Sequence, residues 1–188
     1  MRNSFIKVPV LIATIAASFS ACKKDDPPRP VEQELITTLR LMVNDNGSIQ
    51  SFDYRVENGF NNSSQGSIHI DTIVLAPHTS YTVDTRVLNE KENPMEDITL
   101  EVIDEKDDHL FLYRSNPASG AGSIVSTGGD VDGNGDPFNQ TISFTTGAPG
   151  SGTLTVYLIH EPTDKAGLTP EQTGGETDVQ AVFPVKIQ

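Results

Sequence analysis

In the stretch Leu35-Ile36-Thr37-Thr38-Leu39-Arg40-Leu41-Met42-Val43-Asn44-Asp45-Asn46-Gly47-Ser48-Ile49-Gln50-Ser51-Phe52-Asp53-Tyr54-Arg55-Val56, the order of residue types decides the fold class. Leu35, Thr37, Leu39, Leu41 and Val43 stand on alternate positions, the period of a strand with one buried face. Asn44-Asp45-Asn46-Gly47 then interrupts the run. Asn-Gly is the strongest short hairpin signal, because both residues tolerate the positive φ that a type I′ turn demands. Phe52, Tyr54 and Val56 return on one face of a second strand. A helix would need its apolar residues three and four apart. The stretch predicts an antiparallel hairpin.

The same period continues toward the C-terminus. A polar loop from Glu57 to Ser67 precedes a predicted third strand, Ile68 to Leu75, and Ala76-Pro77-His78-Thr79 turns the chain into a fourth. That strand carries Tyr81, Val83, Thr85 and Val87 on one side. At Asn93-Pro94-Met95-Glu96 the pattern breaks: Asn at N-cap, Pro at N1 and Glu at N3 form a capping-box-like helix start. Met95, Ile98 and Val102 follow at helical spacing. The alternation of Ile98, Leu100 and Val102 also allows a strand, and one short helix is the favoured reading. Further strands are expected over Leu110 to Tyr113, Ser123 to Thr127, Gln140 to Thr145, Thr153 to His160 and Thr177 to Ile187. Pro184 places the last of them at a sheet edge or in a bulge, since proline donates nothing to a central ladder. Eight or nine short strands without a βαβ rhythm predict an all-β protein: an antiparallel two-sheet sandwich of immunoglobulin-like architecture, with one short helix. The Cys–Trp–Cys pattern of antibody domains is missing.

Upstream of residue 34 the character changes. Arg2 and Lys7 make a positive start, and the run from Val8 to Phe19 is almost wholly apolar or small. That run is too short for a bilayer core, which takes about 20 residues, and fits the h-region of a signal peptide. Ser20 and Ala21 directly precede Cys22, the only cysteine of the chain. These positions resemble the lipobox read by lipoprotein signal peptidase, with Phe19 where leucine is usual. The resemblance implies a signal peptide over 1–21, cleavage before Cys22 and acylation of its thiol. Residues 22–33 read as a proline-rich tether, because Pro27, Pro28 and Pro30 deny backbone donors and favour extended chain. Lys23, Lys24, Asp25 and Asp26 resemble the lysine-plus-acidic export tetrad of Bacteroidota surface lipoproteins. That likeness implies an outer-membrane protein facing the cell exterior, with 34–188 as its folded domain.

The net charge is −13. Cleavage before Cys22 would remove Arg2 and Lys7 and no acidic residue, leaving −15. So acidic a surface repels phosphate backbones and disfavours nucleic acid as a partner. With Cys22 as the single thiol, a domain over 34–188 has no disulfide, cysteine nucleophile or cysteine-based zinc site.

Asp130-Val131-Asp132-Gly133-Asn134-Gly135-Asp136 is the sharpest local pattern. Oxygen ligands on alternate positions (Asp130, Asp132, Asn134, Asp136), with glycines that permit a tight wrap, suit Ca²⁺. The twelfth position, where an EF-hand loop requires glutamate, is Thr141. Asn-Gly followed by Asp-Pro is also ordinary hairpin chemistry, so a solvated turn stands beside the calcium reading. On the calcium reading, Asp132→Ala is expected to cost little stability without the ion, since it relieves repulsion between like charges.

His69, His78, His109 and His160 show no metal-binding spacing. Asp107-Asp108-His109 and His160-Glu161 can contribute to a metal site only if the fold unites them; otherwise they are polar strand ends at the sandwich rim. The glycines near Ser119 to Ser126 form no phosphate loop, and no serine sits in a G-x-S-x-G elbow. The long connection from Glu161 to Glu176 has the length of a binding loop. Taken together, the chain resembles a small all-β lipoprotein family of Bacteroidota whose members sometimes accompany TonB-dependent receptors. The resemblance implies a non-enzymatic binding or accessory module for an outer-membrane partner or small ligand. A calcium-stabilised adhesion or spacer module is the alternative, and a carbohydrate-active domain comes last.

Overall fold

A computed structural model describes residues 34–188, and the signal-peptide and tether positions, including Cys22, Lys23, Lys24, Asp25 and Asp26, lie outside them. Within 34–188 two sheets enclose one apolar core. The larger is built from β1 (Thr38–Asp45), β2 (Ser48–Val56), β3 (Ile68–Ile70), β5 (Ser80–Asn89), β6 (Glu96–Asp97), β8 (Ile124–Thr127) and β9 (Thr141–Thr146). Its order is β3-β2-β1-β5-β9-β8, with β6 paired to the end of β5. The smaller sheet has the order β4-β11-β10-β7 and comprises β4 (Ile73–Leu75), β7 (His109–Asn116), β10 (Gly150–His160) and β11 (Glu176–Ile187). The expected all-β sandwich with a short helix is what forms.

The opening hairpin follows from its turn. Asp45 pairs with Ser48, so Asn46 and Gly47 form a two-residue loop, with φ of 49° and 98°. Two positive φ values in succession give the I′ twist that matches paired strands. Register then sends Leu39, Leu41 and Val43 inward, each fully buried, and β5 does the same with Tyr81, Val83, Thr85 and Val87. Across the core, Tyr54 meets Phe183 edge-on at 5.8 Å and Tyr113 meets Phe144 at 5.4 Å. Each pair takes one ring from either sheet, so aromatic packing clamps the two layers together.

Two local expectations are corrected. The run from Ile68 to Leu75 is two strands in different sheets. Asp71 causes the break: its N–H donates to the Asp53 carbonyl (3.0 Å) and its carboxylate accepts the Asp53 N–H (2.8 Å). The chain then crosses to the second sheet, where β4 lies parallel to β11, the one parallel pair among the described strands. The helix starts later than Asn93. Glu96 and Asp97 pair with Asn89 and Leu88, which holds that segment extended. Thr99 follows, its hydroxyl accepting the Val87 N–H and donating to the Val87 carbonyl, and α1 runs over Thr99–Asp104. Ile98 and Val102 are buried, whereas Met95 is exposed. Pro184 stands where β11 is a sheet edge, as expected of a residue without an N–H, and β4 covers only Val185 to Ile187 beyond it.

The 3₁₀ turn after α1, the β8–β9 loop and the β10–β11 connection gather at one end of the sandwich. A single 3₁₀ turn, Lys106–Asp108, leads into β7. Between β8 and β9 the chain dips inward to bury Phe138, whose carbonyl accepts the Phe111 N–H (2.9 Å) and whose ring contacts Phe111 at 5.8 Å. This plug closes the end of the core.

Candidate functional site

Three connections lace together above that plug. Asp132 is buried, and its Oδ1 accepts the N–H groups of Asn134 and Asp136, both at 2.9 Å. Its Oδ2 accepts the ammonium of Lys165 at 2.7 Å, and Lys165 also donates to the Lys106 carbonyl at 2.7 Å. Asp107 accepts the Gly133 N–H (2.7 Å), and the Glu161 N–H donates to the Asp108 carbonyl (2.7 Å). Lys165 thus ties the Glu161–Glu176 connection to the 3₁₀ turn and to the Asp130–Asp136 loop. Burial opposes charge on Asp132, but Lys165 and the two backbone N–H donors outweigh it and hold the carboxyl below the usual range.

This geometry changes the reading of the calcium motif. Asp130 accepts the Thr141 N–H (3.0 Å), Asn134 and Asp136 are exposed, and both Asp132 oxygens serve protein donors. The cation at Asp132 is an ammonium. Asp132→Ala would strand a buried lysine and free two loop N–H groups, so this geometry predicts a clear loss of stability in place of the small one expected from sequence. The Glu161–Glu176 connection also has structure of its own. Thr169 caps a single helical turn, α2 (Pro170–Thr173), by accepting the Gln172 N–H. Thr163 and Asp164 both donate to the Thr173 carbonyl, closing the connection on itself.

Beside this knot lies a constellation that no sequence spacing announces. His109 opens β7 and His160 closes β10, and the antiparallel register sets them directly opposite one another. Their rings stack, with centroids 4.8 Å apart and planes 9° from parallel. Asp178 joins them through an irregularity in β11. Leu158 pairs with Val179 but Ile159 pairs with Thr177, so Asp178 is the extra residue of a β-bulge. The bulge turns it onto the histidine side, where it is buried. A ring nitrogen from each histidine and a carboxylate oxygen of Asp178 lie within 4.8 Å of one another. His109 Nδ1 is 3.0 Å from the Glu105 carbonyl. A carbonyl only accepts, so that nitrogen carries the hydrogen and Nε2 carries the lone pair. Burial is the main force pushing the His109 pKa down.

The remaining histidines are elsewhere: His69 is exposed on β3 beside Asp71 (3.2 Å), and His78 is exposed in the turn before β5. A shallow cleft of about 320 Å³ runs between the start of β1, the end of β2 and β3, lined among others by Thr38, Arg55, His69, Glu90 and Lys91. Its charges are already matched. Arg55 pairs with Glu90 (3.1 Å) and with Asp53, which also takes a bidentate contact from Arg40. At the base of this cleft Thr38 Oγ1 is buried without a hydrogen-bond partner.

No protein-family model, curated protein or solved structure matches the chain.

Proposed function

We propose that this chain is a lipoprotein, acylated on Cys22, that holds its β-sandwich at the outer membrane as a non-enzymatic binding or accessory module. The observation that carries the reading is the position of the only cysteine, directly behind Ser20-Ala21 at the end of the apolar run. A thiol takes a diacylglycerol as a thioether, and cleavage frees an α-amine for a further acyl chain. One chain binds a bilayer marginally, at about 0.8 kcal/mol per buried CH₂, while two or three anchor it stably. No helix of the described residues is long and apolar enough to cross a membrane, so a lipid on Cys22 would supply the attachment.

Residues 22–33 reach at most about 40 Å when fully extended. Glu34, where the described chain begins, lies close enough to Glu101 and Glu105 for their charges to act on it. Glu34 thus stands at the end of the sandwich that carries the laced loops and the histidine pair. These loops are presented to whatever shares the membrane surface: an outer-membrane partner of the TonB-dependent-receptor kind, or a small ligand passing to it. Lys23-Lys24-Asp25-Asp26 supports an outward-facing location.

Cys22→Ala tests the anchor. The variant should stay unprocessed or appear in the soluble fraction, with no label from radioactive palmitate. Maturation and membrane sedimentation like the wild type would end the lipoprotein reading. Replacing Lys23, Lys24, Asp25 and Asp26 by alanine should keep lipidation while protease added to whole cells no longer reaches the domain.

A further inference from the structure

We infer that His109, His160 and Asp178 form a binding site for one divalent transition-metal ion of the zinc class. Two imidazoles and one carboxylate are the donor set that such borderline ions take, whereas Ca²⁺ and Mg²⁺ prefer oxygen throughout. The Nδ1–H of His109 held by the Glu105 carbonyl is the support that metal-bound histidines usually have, and it leaves Nε2 for the ion. The β-bulge is the second device. A regular β11 would turn Asp178 to the opposite face, and the extra residue brings its carboxylate to the rings instead.

The ligand atoms lie within 4.8 Å of one another, and a tetrahedral site with bonds of 2.0–2.1 Å has an edge of about 3.3 Å. Closing that gap needs the His160 imidazole to turn about χ2, a broad torsion, while His109 keeps its Nδ1–H on the Glu105 carbonyl. His160 is half-buried, which leaves a route for the ion and a coordination position for water. Glu105, Asp107, Asp108, Glu161 and Glu176 are exposed along the flanking segments, so the approach is strongly anionic.

The test uses the full chain in detergent with Cys22→Ser, so that the thiol cannot act as a zinc ligand. Zinc chloride is titrated by calorimetry, and the imidazole ring signals are followed by ¹H–¹⁵N correlation. The expected result is one ion per chain, with the His109 and His160 signals shifted and those of His69 and His78 unmoved. His160→Gln and Asp178→Asn, each on that background, should weaken binding by at least about tenfold, while His69→Gln should not. No bound zinc, shifts confined to His69 or His78, or unchanged binding in both variants would overturn the site. Should a variant fail to fold, the ring signals of the unaltered chain still decide.

Discussion

Lys165 shows what a single side chain does at the loop end. Its ammonium is buried against a carboxylate that is itself buried, with side-chain exposures of 8% and 1%, so solvent screens the pair little. Removing one partner of such a pair costs about 3 kcal/mol or more, because the remaining charge stays buried. Lys165→Met keeps the length of the side chain and removes only the charge. It should lower the melting temperature by roughly 6–12 °C in a domain of this size. Lys186→Met on β11, an exposed residue that forms no ion pair among the described residues, should change it little; equal effects of the two would show that the knot contributes nothing. None of this was legible beforehand. Asp132 stood out as a calcium ligand because its neighbours fit a cation loop, but the cation it meets lies 33 residues away. Asp178 was hidden for another reason. Val179, Ala181, Phe183, Val185 and Ile187 alternate inward, and extending that period backward turns Asp178 outward. Only strand pairing reveals the bulge. His109 and His160 were named as joint candidates only if the fold united them, and register does so across 51 positions of sequence.

At the scale of elements, local signals worked where the element decides its own shape. Gly47 closes the first hairpin at φ 98° with open space around its Cα, so an added methyl would meet no neighbour and only backbone strain would count. Gly47→Ala should therefore cost about 1 kcal/mol, seen as a shift of a few degrees in melting. Asn46→Gly should cost less than about 0.5 kcal/mol, because asparagine and glycine both accept that φ. A neutral Gly47→Ala would contradict the I′ assignment. The strands were readable for the same reason: one buried face imposes alternation, and β1, β5 and β11 all obey it. Elements that depend on a partner were not. The helix signal at Asn93 lost to pairing of Glu96 and Asp97 with β5, and the third strand split because Asp71 bonds to Asp53 across the sheet. In both places the decisive group lies on a neighbouring strand, outside the segment itself.

At the scale of the whole molecule, an acidic chain of net charge −13 carries carboxyls perturbed in opposite directions, which shapes its stability against pH. Asp53 would be raised by burial, but hydrogen bonds and charge from Arg40, with Arg55 and His69, hold it below its usual value. Asp132 is held low by Lys165 in the same way. Groups lowered on folding stabilise the native state above their ordinary pKa, and that contribution is lost as pH falls through the lowered value. Glu34 is the opposite case. Burial, a hydrogen bond with Glu101 and the charges of Glu101, Glu96 and Glu105 push it from 4.5 up to about 8. A raised carboxyl stabilises the fold while protonated, so its contribution is full below about pH 4.5, declines as pH rises and is gone above about 8. His109, lowered from 6.5 by burial, works against this decline, because its contribution grows as pH rises toward 6.5. The absolute curve therefore mixes the two, and a difference curve separates them. Glu34→Gln keeps the hydrogen-bonding shape and cannot ionise. Melting temperatures of the wild type minus those of Glu34→Gln, taken from pH 5 to 8.5, should fall steadily as Glu34 becomes charged beside three other carboxylates. The slope should be shallower in high salt, since Glu34 is only half-buried and part of the repulsion is screened. A flat difference across that range would mean that Glu34 ionises as freely in the folded chain as in the unfolded one.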